Sequence, residues 1–72
     1  MKPLETLDRR GQVWEASWEG GSTLFLVIRE PKRWHDVAYH ELLNLESGHL
    51  DAVDERNLAK GKARLTDWRR IA

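Results

Sequence analysis

The stretch Gly11 to Pro31, GQVWEASWEGGSTLFLVIREP, constrains this chain more than any other, because two runs of different character meet at adjacent glycines. Before the glycines the residues alternate. Trp14, Ala16 and Trp18 fall on one side of an extended chain, and Val13, Glu15 and Ser17 fall on the other. Gly20 and Gly21, within EGGS, supply the positive φ that a tight hairpin needs. The second run is apolar on both sides, Leu24, Leu26 and Ile28 facing one way and Phe25 and Val27 the other. A strand of that kind is expected to be central and covered on both faces. Pro31 has no N–H to donate and ends the ladder. The expected strands are Gln12 to Trp18 and Thr23 to Glu30, followed by PKRWHD as an exposed loop.

This apolar material has to carry the fold. The chain has 72 residues and no cysteine, so neither a disulfide framework nor a thiolate zinc site can staple it. Residues 1–10 are polar and without sustained period, and they read as a flexible leader, with Leu4 and Leu7 placed to tuck against the body. Residues 11–72 then form a single small domain. The start of the chain lacks an apolar signal-peptide core, and no run approaches the ~18 apolar residues of a membrane span. A cytoplasmic protein with no membrane contact is expected.

The middle of the chain admits two readings. In WHDVAYHELLNLESG, Trp34, Val37, Ala38, Leu42 and Leu45 lie near helical spacing with Gly48 as a cap. As a strand, the same stretch places Tyr39, Leu43 and Leu45 on one face, and ESGH turns it into HLDAV. The strand reading is preferred, since the turn chemistry is good and LNLESGHL is symmetrically apolar about it. A helical residue 36–46 segment would make the fold α+β instead. Asp54 to Ala63 then gives a helical turn and a loop broken at Gly61, and RLTDWRRIA closes the chain as a strand with Leu65 near its start and Trp68 and Ile71 anchoring it.

Five short strands with a one-turn helix before the last resemble the SH3-like small β-barrels, Tudor-like and KOW-like modules among them, over residues 11–71. That resemblance implies a mainly all-β, antiparallel five-stranded barrel. Proline-peptide binding does not carry over, because the paired tyrosines of SH3 domains are represented here by Tyr39 alone. A narrower resemblance is to ribonuclease toxins of the growth-arrest type, whose first strand begins G-x-V-W as Gly11, Val13 and Trp14 do here. Those proteins are longer, and the rest of their active-site pattern has no match.

Twelve basic residues balance twelve acidic ones, so bulk attraction to a polyanion is not expected. The charges are nevertheless segregated. Residues 41–55 hold five acids and no Lys or Arg, whereas residues 56–70 hold six bases against Asp67. The plain reading is that these blocks pair or are solvated. The functional reading takes Lys60, Lys62 and Arg64, at every second residue, as one face of an extended segment that tracks phosphates, with Arg69 and Arg70 flanking Trp68. The same row would also meet an acidic protein surface or guard an edge strand. Trp14 and Trp68 are expected in the core, and Trp18 at an open barrel end. Trp34 follows Lys32 and Arg33 and precedes His35; it either folds back over the barrel or stands out as a stacking platform or interface hot spot.

Catalytic signals are sparse. His35 and His40 are five residues apart, on opposite faces of a strand, which speaks against a metal site with Asp36 and His49. EGGST runs from strand to strand and offers no helix start to an anion. Arg33, His35 and Asp36 could be assembled into an RNA-cleaving acid–base centre, yet any charged loop offers as much. The expectation is a protein without enzymatic activity or cofactor: a small binding module, in the style of a bacterial or bacteriophage accessory protein, that docks on a larger protein or nucleoprotein complex and modulates or inhibits it. The binding residues are then Lys32, Arg33, Trp34, His35, Lys60, Lys62, Arg64, Arg69 and Arg70. RNA or single-stranded nucleic-acid binding through the basic, aromatic edge is the first alternative, and a toxin-like ribonuclease the second. Monomer and homodimer both remain open.

Overall fold

Val13–Trp18 (β1) and Gly21–Val27 (β2) form the hairpin that the glycine pair calls for, in register from Val13 opposite Leu26 to Trp18 opposite Gly21. Gly20 takes φ 101°, where any side chain would be strained. The structure, a computed structural model, describes residues 7–72. Leu4 lies outside the described residues, and Leu7 is exposed.

Residues 37–44 are extended and residues 36, 45 and 46 lie in the flanking turns, so the helical alternative falls. Lys32–Trp34 (β3) and Val37–Asn44 (β4) make a second hairpin, and β4 continues into Leu50–Asp54 (β5) through a five-residue loop. The Asn44 side chain holds that loop by accepting from the N–H groups of Glu46 and Ser47, and Gly48 supplies a positive φ. Glu55–Lys60 (α1) follows at once. Asp54 caps its start, accepting from the Arg56 N–H, and Gly61 ends it in the left-handed region. Lys62–Ala63 (β6) and Thr66–Arg70 (β7) close the chain.

All pairing is antiparallel, in the order β3-β4-β2-β1-β7-β6, with β5 on the other edge of β4. The sheet curls into a half-barrel compatible with the SH3-like architecture, but it has seven strands instead of five and does not close. Two local causes account for the extra strands. Opposite β4, residues 28–31 face only residues 40 and 41, a bulge that separates β2 from β3 around Pro31. The expected loop after Pro31 is thus a strand and a turn. At the other end, Arg64 at φ 55° folds Lys62–Ala63 back on Thr66–Asp67, so the last strand starts at Thr66 and Leu65 stands 88% exposed at the turn. Where barrel closure would require β5 to meet β6, α1 lies between them and packs against β4, β5, β6 and β7.

The core fills the concave side: Trp14, Ala16, Phe25, Val27, Leu42, Val53 and Leu58, with Trp68 packed against it and its ring centroid 5.5 Å from that of Phe25. The other side is different. β2 was expected to be covered on both faces, yet no described residue covers Leu24, which is exposed, or fully covers Leu26 and Ile28. A single helix of six residues can shield one face of a sheet this wide and no more. No helix among the described residues is long and apolar enough to cross a membrane.

The Gly61 position tests the closure. It needs φ 75°, and a Cβ there would come within 3.2 Å of the Trp68 carbonyl oxygen. Gly61→Ala should therefore cost about 1–2 kcal/mol, read from urea denaturation.

Candidate functional site

The β3–β4 hairpin carries the most exposed aromatic residue. A two-residue turn, His35–Asp36, joins Trp34 to its partner Val37, and His35 takes φ 50° to make it. The indole is 68% exposed and meets the His35 ring edge-on, centroids 5.1 Å apart. Of the two alternatives for Trp34, folding back over the barrel is therefore excluded. Strand alternation splits the neighbouring cations: Lys32 shares a face with Trp34, and Arg33 points to the other side. Lys32 and Arg29 both pair with Glu41, and their charges hold its carboxyl below the ordinary range, Lys32 foremost. Arg33 has no acidic partner among the described residues.

Beside this hairpin, the bulge opens a cleft of about 300 Å³ lined by Arg10, Ile28, Arg29, Glu30, Pro31 and Lys32. Its cations are already engaged, Arg10 by Asp8 and the other two by Glu41. The cleft therefore offers little uncompensated positive charge to an anion.

The basic residues of the C-terminal third do not lie on one extended face. Lys60 ends α1, Lys62 is in β6 and Arg64 sits in the left-handed turn, each exposed and without an acidic partner among the described residues. Arg69 pairs with Glu15 across β1 and β7, and Arg70 donates to the Ala72 carbonyl. In the strand order, β6 and β3 are at opposite ends of the sheet. The structure thus keeps Lys32, Arg33, Trp34 and His35 together, keeps Lys60, Lys62 and Arg64 as a second, looser group, and does not merge the two into one basic–aromatic track.

Sequence reasoning missed a third constellation. Glu55, in the first turn of α1, accepts from both Arg9 Nε at 2.7 Å and Arg9 Nη2 at 2.9 Å, and its Oε1 also meets His40 Nε2 at 2.7 Å. Arg9 lies over the Trp14 ring and also donates to Gln12, whose amide oxygen accepts from the Trp14 indole. The end of the expected leader is fastened to the body by this route. A carboxylate–imidazole pair has the outline of a general base, but His40 is 0% exposed and no substrate could touch it. Its Nδ1 is buried and has no partner among the described residues. The pair is a strut between β4 and α1. In β4 His40 alternates with Leu42 on the buried face; Glu55 is 15 residues from His40 and 46 from Arg9, so the cluster left no local signal in the sequence.

Among the described residues, no group of three or more His, Cys, Asp or Glu side chains could hold a metal ion. Comparison with protein-family models, with curated proteins and with solved structures finds no match.

The Arg9 guanidinium holds the Glu55 carboxyl below its ordinary value, against burial and with help from His40. A carboxyl depressed on folding stabilises the fold fully above the ordinary carboxylate range, and that contribution fades as pH falls through the folded value. Glu55→Gln should cost about 1–3 kcal/mol at neutral pH. The gap between wild type and variant, measured by urea denaturation, should narrow between about pH 5 and pH 2. Asp8, Glu41 and Asp54, also depressed by cationic neighbours, titrate in both proteins and cancel in that difference.

Proposed function

We propose that the chain is a non-catalytic binding module that docks on a larger protein, alone or within a nucleoprotein complex, and modulates it, with the β3–β4 hairpin as its recognition element. The observation that carries this reading is Trp34: the largest side chain type is held 68% exposed at the tip of a short turn, where the core has no use for it. Interface hot spots are enriched in Trp flanked by polar and cationic residues, because a rigid ring buries much area at little entropic cost. Lys32, on the same face, and His35, edge-on to the indole, form that surround, with Arg33 on the reverse of the hairpin. As part of this proposal, the chain acts as an accessory protein in a bacterial or bacteriophage setting.

Nucleic-acid binding is the second reading, favoured by Lys60, Lys62 and Arg64, which lack acidic partners among the described residues. It is weakened by their distance along the sheet from Trp34, since single-strand recognition combines stacking and phosphate contacts in one groove. A ribonuclease built on Arg33 and His35 would need those groups to converge; alternation turns Arg33 away from the Trp34 face.

The test compares wild type with Trp34→Ala in capture from a nuclease-treated bacterial lysate. One dominant protein should be retained by wild type and lost, at least tenfold, by the variant, while the variant's denaturation midpoint stays within about 0.5 kcal/mol of wild type. Capture abolished by nuclease, or indifferent to Trp34, would overturn the reading. Cleavage of bare RNA that disappears in His35→Ala would replace it with the ribonuclease.

A further inference from the structure

Two residues other than glycine take a positive φ among the described residues, and one of them, His35 at φ 50°, sits at the tip of the β3–β4 hairpin. In the β1–β2 and β4–β5 connections the same backbone need falls to Gly20 and Gly48. His35 is the first of the two loop residues, and in a two-residue hairpin loop glycine is the residue that takes a positive φ there without steric cost. A bulkier residue persists in such a conformation when its surroundings hold it there, and residues of this kind cluster at binding sites. His35 makes one contact that a glycine could not. Its imidazole meets the Trp34 indole edge-on, the rings at 89° and their centroids 5.1 Å apart, a geometry that aromatic pairs prefer.

Trp34 has little else to hold it. β3 is three residues long and exposed throughout, and it stands at one end of the strand order. Opposite the indole, across the turn, is Val37, itself only half-buried. The core lies on the other face of the sheet, where His40 and Leu42 of β4 point. An indole left unheld turns about its side-chain bonds, and a partner's pocket has to order it on binding, which lowers affinity.

We infer that His35 is a positioning residue. Its ring holds the Trp34 indole in one orientation before any partner arrives, and the strained turn is what puts the ring there. The inference rests on the reading of Trp34 as the recognition residue, and adds how that side chain is prepared for its pocket. It calls for two effects of opposite sign from one substitution. His35→Gly relieves the backbone, so it should stabilise the fold, and it removes the ring, so it should weaken binding. A residue with a purely structural role would lose both together.

The test is the heteronuclear NOE of the Trp34 indole N–H in the free full-length chain, the resonance being assigned by its absence from Trp34→Phe. This quantity reports motion on the ps–ns timescale. In wild type it should approach the values of the β1 backbone. In His35→Gly and His35→Ala it should fall well below them, and His35→Phe, which returns a ring, should restore it. The urea midpoint should rise in His35→Gly and stay near wild type in the other two, which keep a Cβ in the left-handed region. Recovery of the dominant protein from nuclease-treated lysate should drop roughly 2–10-fold for His35→Gly and His35→Ala and be kept by His35→Phe. An indole as rigid in His35→Ala as in wild type, a midpoint lowered by His35→Gly, or Trp34-dependent recovery that both variants retain in full would each overturn the inference. Recovery indifferent to Trp34→Ala would instead overturn the hairpin reading, and the NOE series would still decide whether His35 holds the ring.

Discussion

The Glu55 carboxylate is the point on which the rest of the structure hangs. One oxygen serves both Arg9 and His40, and the second completes a two-pronged grip on the Arg9 guanidinium. Through it the start of α1 is tied to the middle of β4 and to the segment that precedes β1. Each partner is itself held: Arg9 lies on Trp14 and reaches Gln12, and His40 is fully enclosed by the core. A barrel of this size has too few apolar residues to close its own seam. The ion-paired helix start substitutes for the strand pairing that β5 and β6 do not make. Partial burial is what gives the interaction weight, since the same charges on the surface would contribute little.

That arrangement has a consequence for the opposite side of the sheet. With α1 committed to the concave face, nothing among the described residues remains to cover the convex one. The convex face therefore carries two regions of different chemistry along β4. The leucine-rich region is apolar and convex, with Leu24, Leu45 and Leu50 exposed. The hairpin tip is narrow, aromatic and cationic, suited to a pocket on another protein.

Much of this was legible in the residues. Gly20–Gly21 located the first hairpin, the alternation of β1 sorted Trp14 from Val13, and LNLESGHL gave the β4–β5 hairpin against a competing helical pattern. The errors came from information that is not local. LFLVI reads as a strand buried on both sides because apolarity records that a side chain avoids water, not whether its own chain or another molecule provides the cover. The even spacing of Lys60, Lys62 and Arg64 suggested one extended face, but Gly61 and Arg64 both adopt left-handed backbone and break it. Pro31 was correctly a ladder breaker, yet a bulge let pairing resume beyond it. The Arg9–Glu55–His40 cluster could not be found from spacing at all, because it exists only after β4 has brought His40 to α1.

The most direct measurement of the central claim is methyl NMR of leucine- and valine-labelled protein, dilute enough to be monomeric, with a soluble paramagnetic agent. The half-barrel covered on one side predicts strong relaxation of the Leu24, Leu45 and Leu50 methyls and near-complete protection of Val27, Leu42, Val53 and Leu58. Protection of both sets alike would show that the chain covers its own convex face, and would contradict the account.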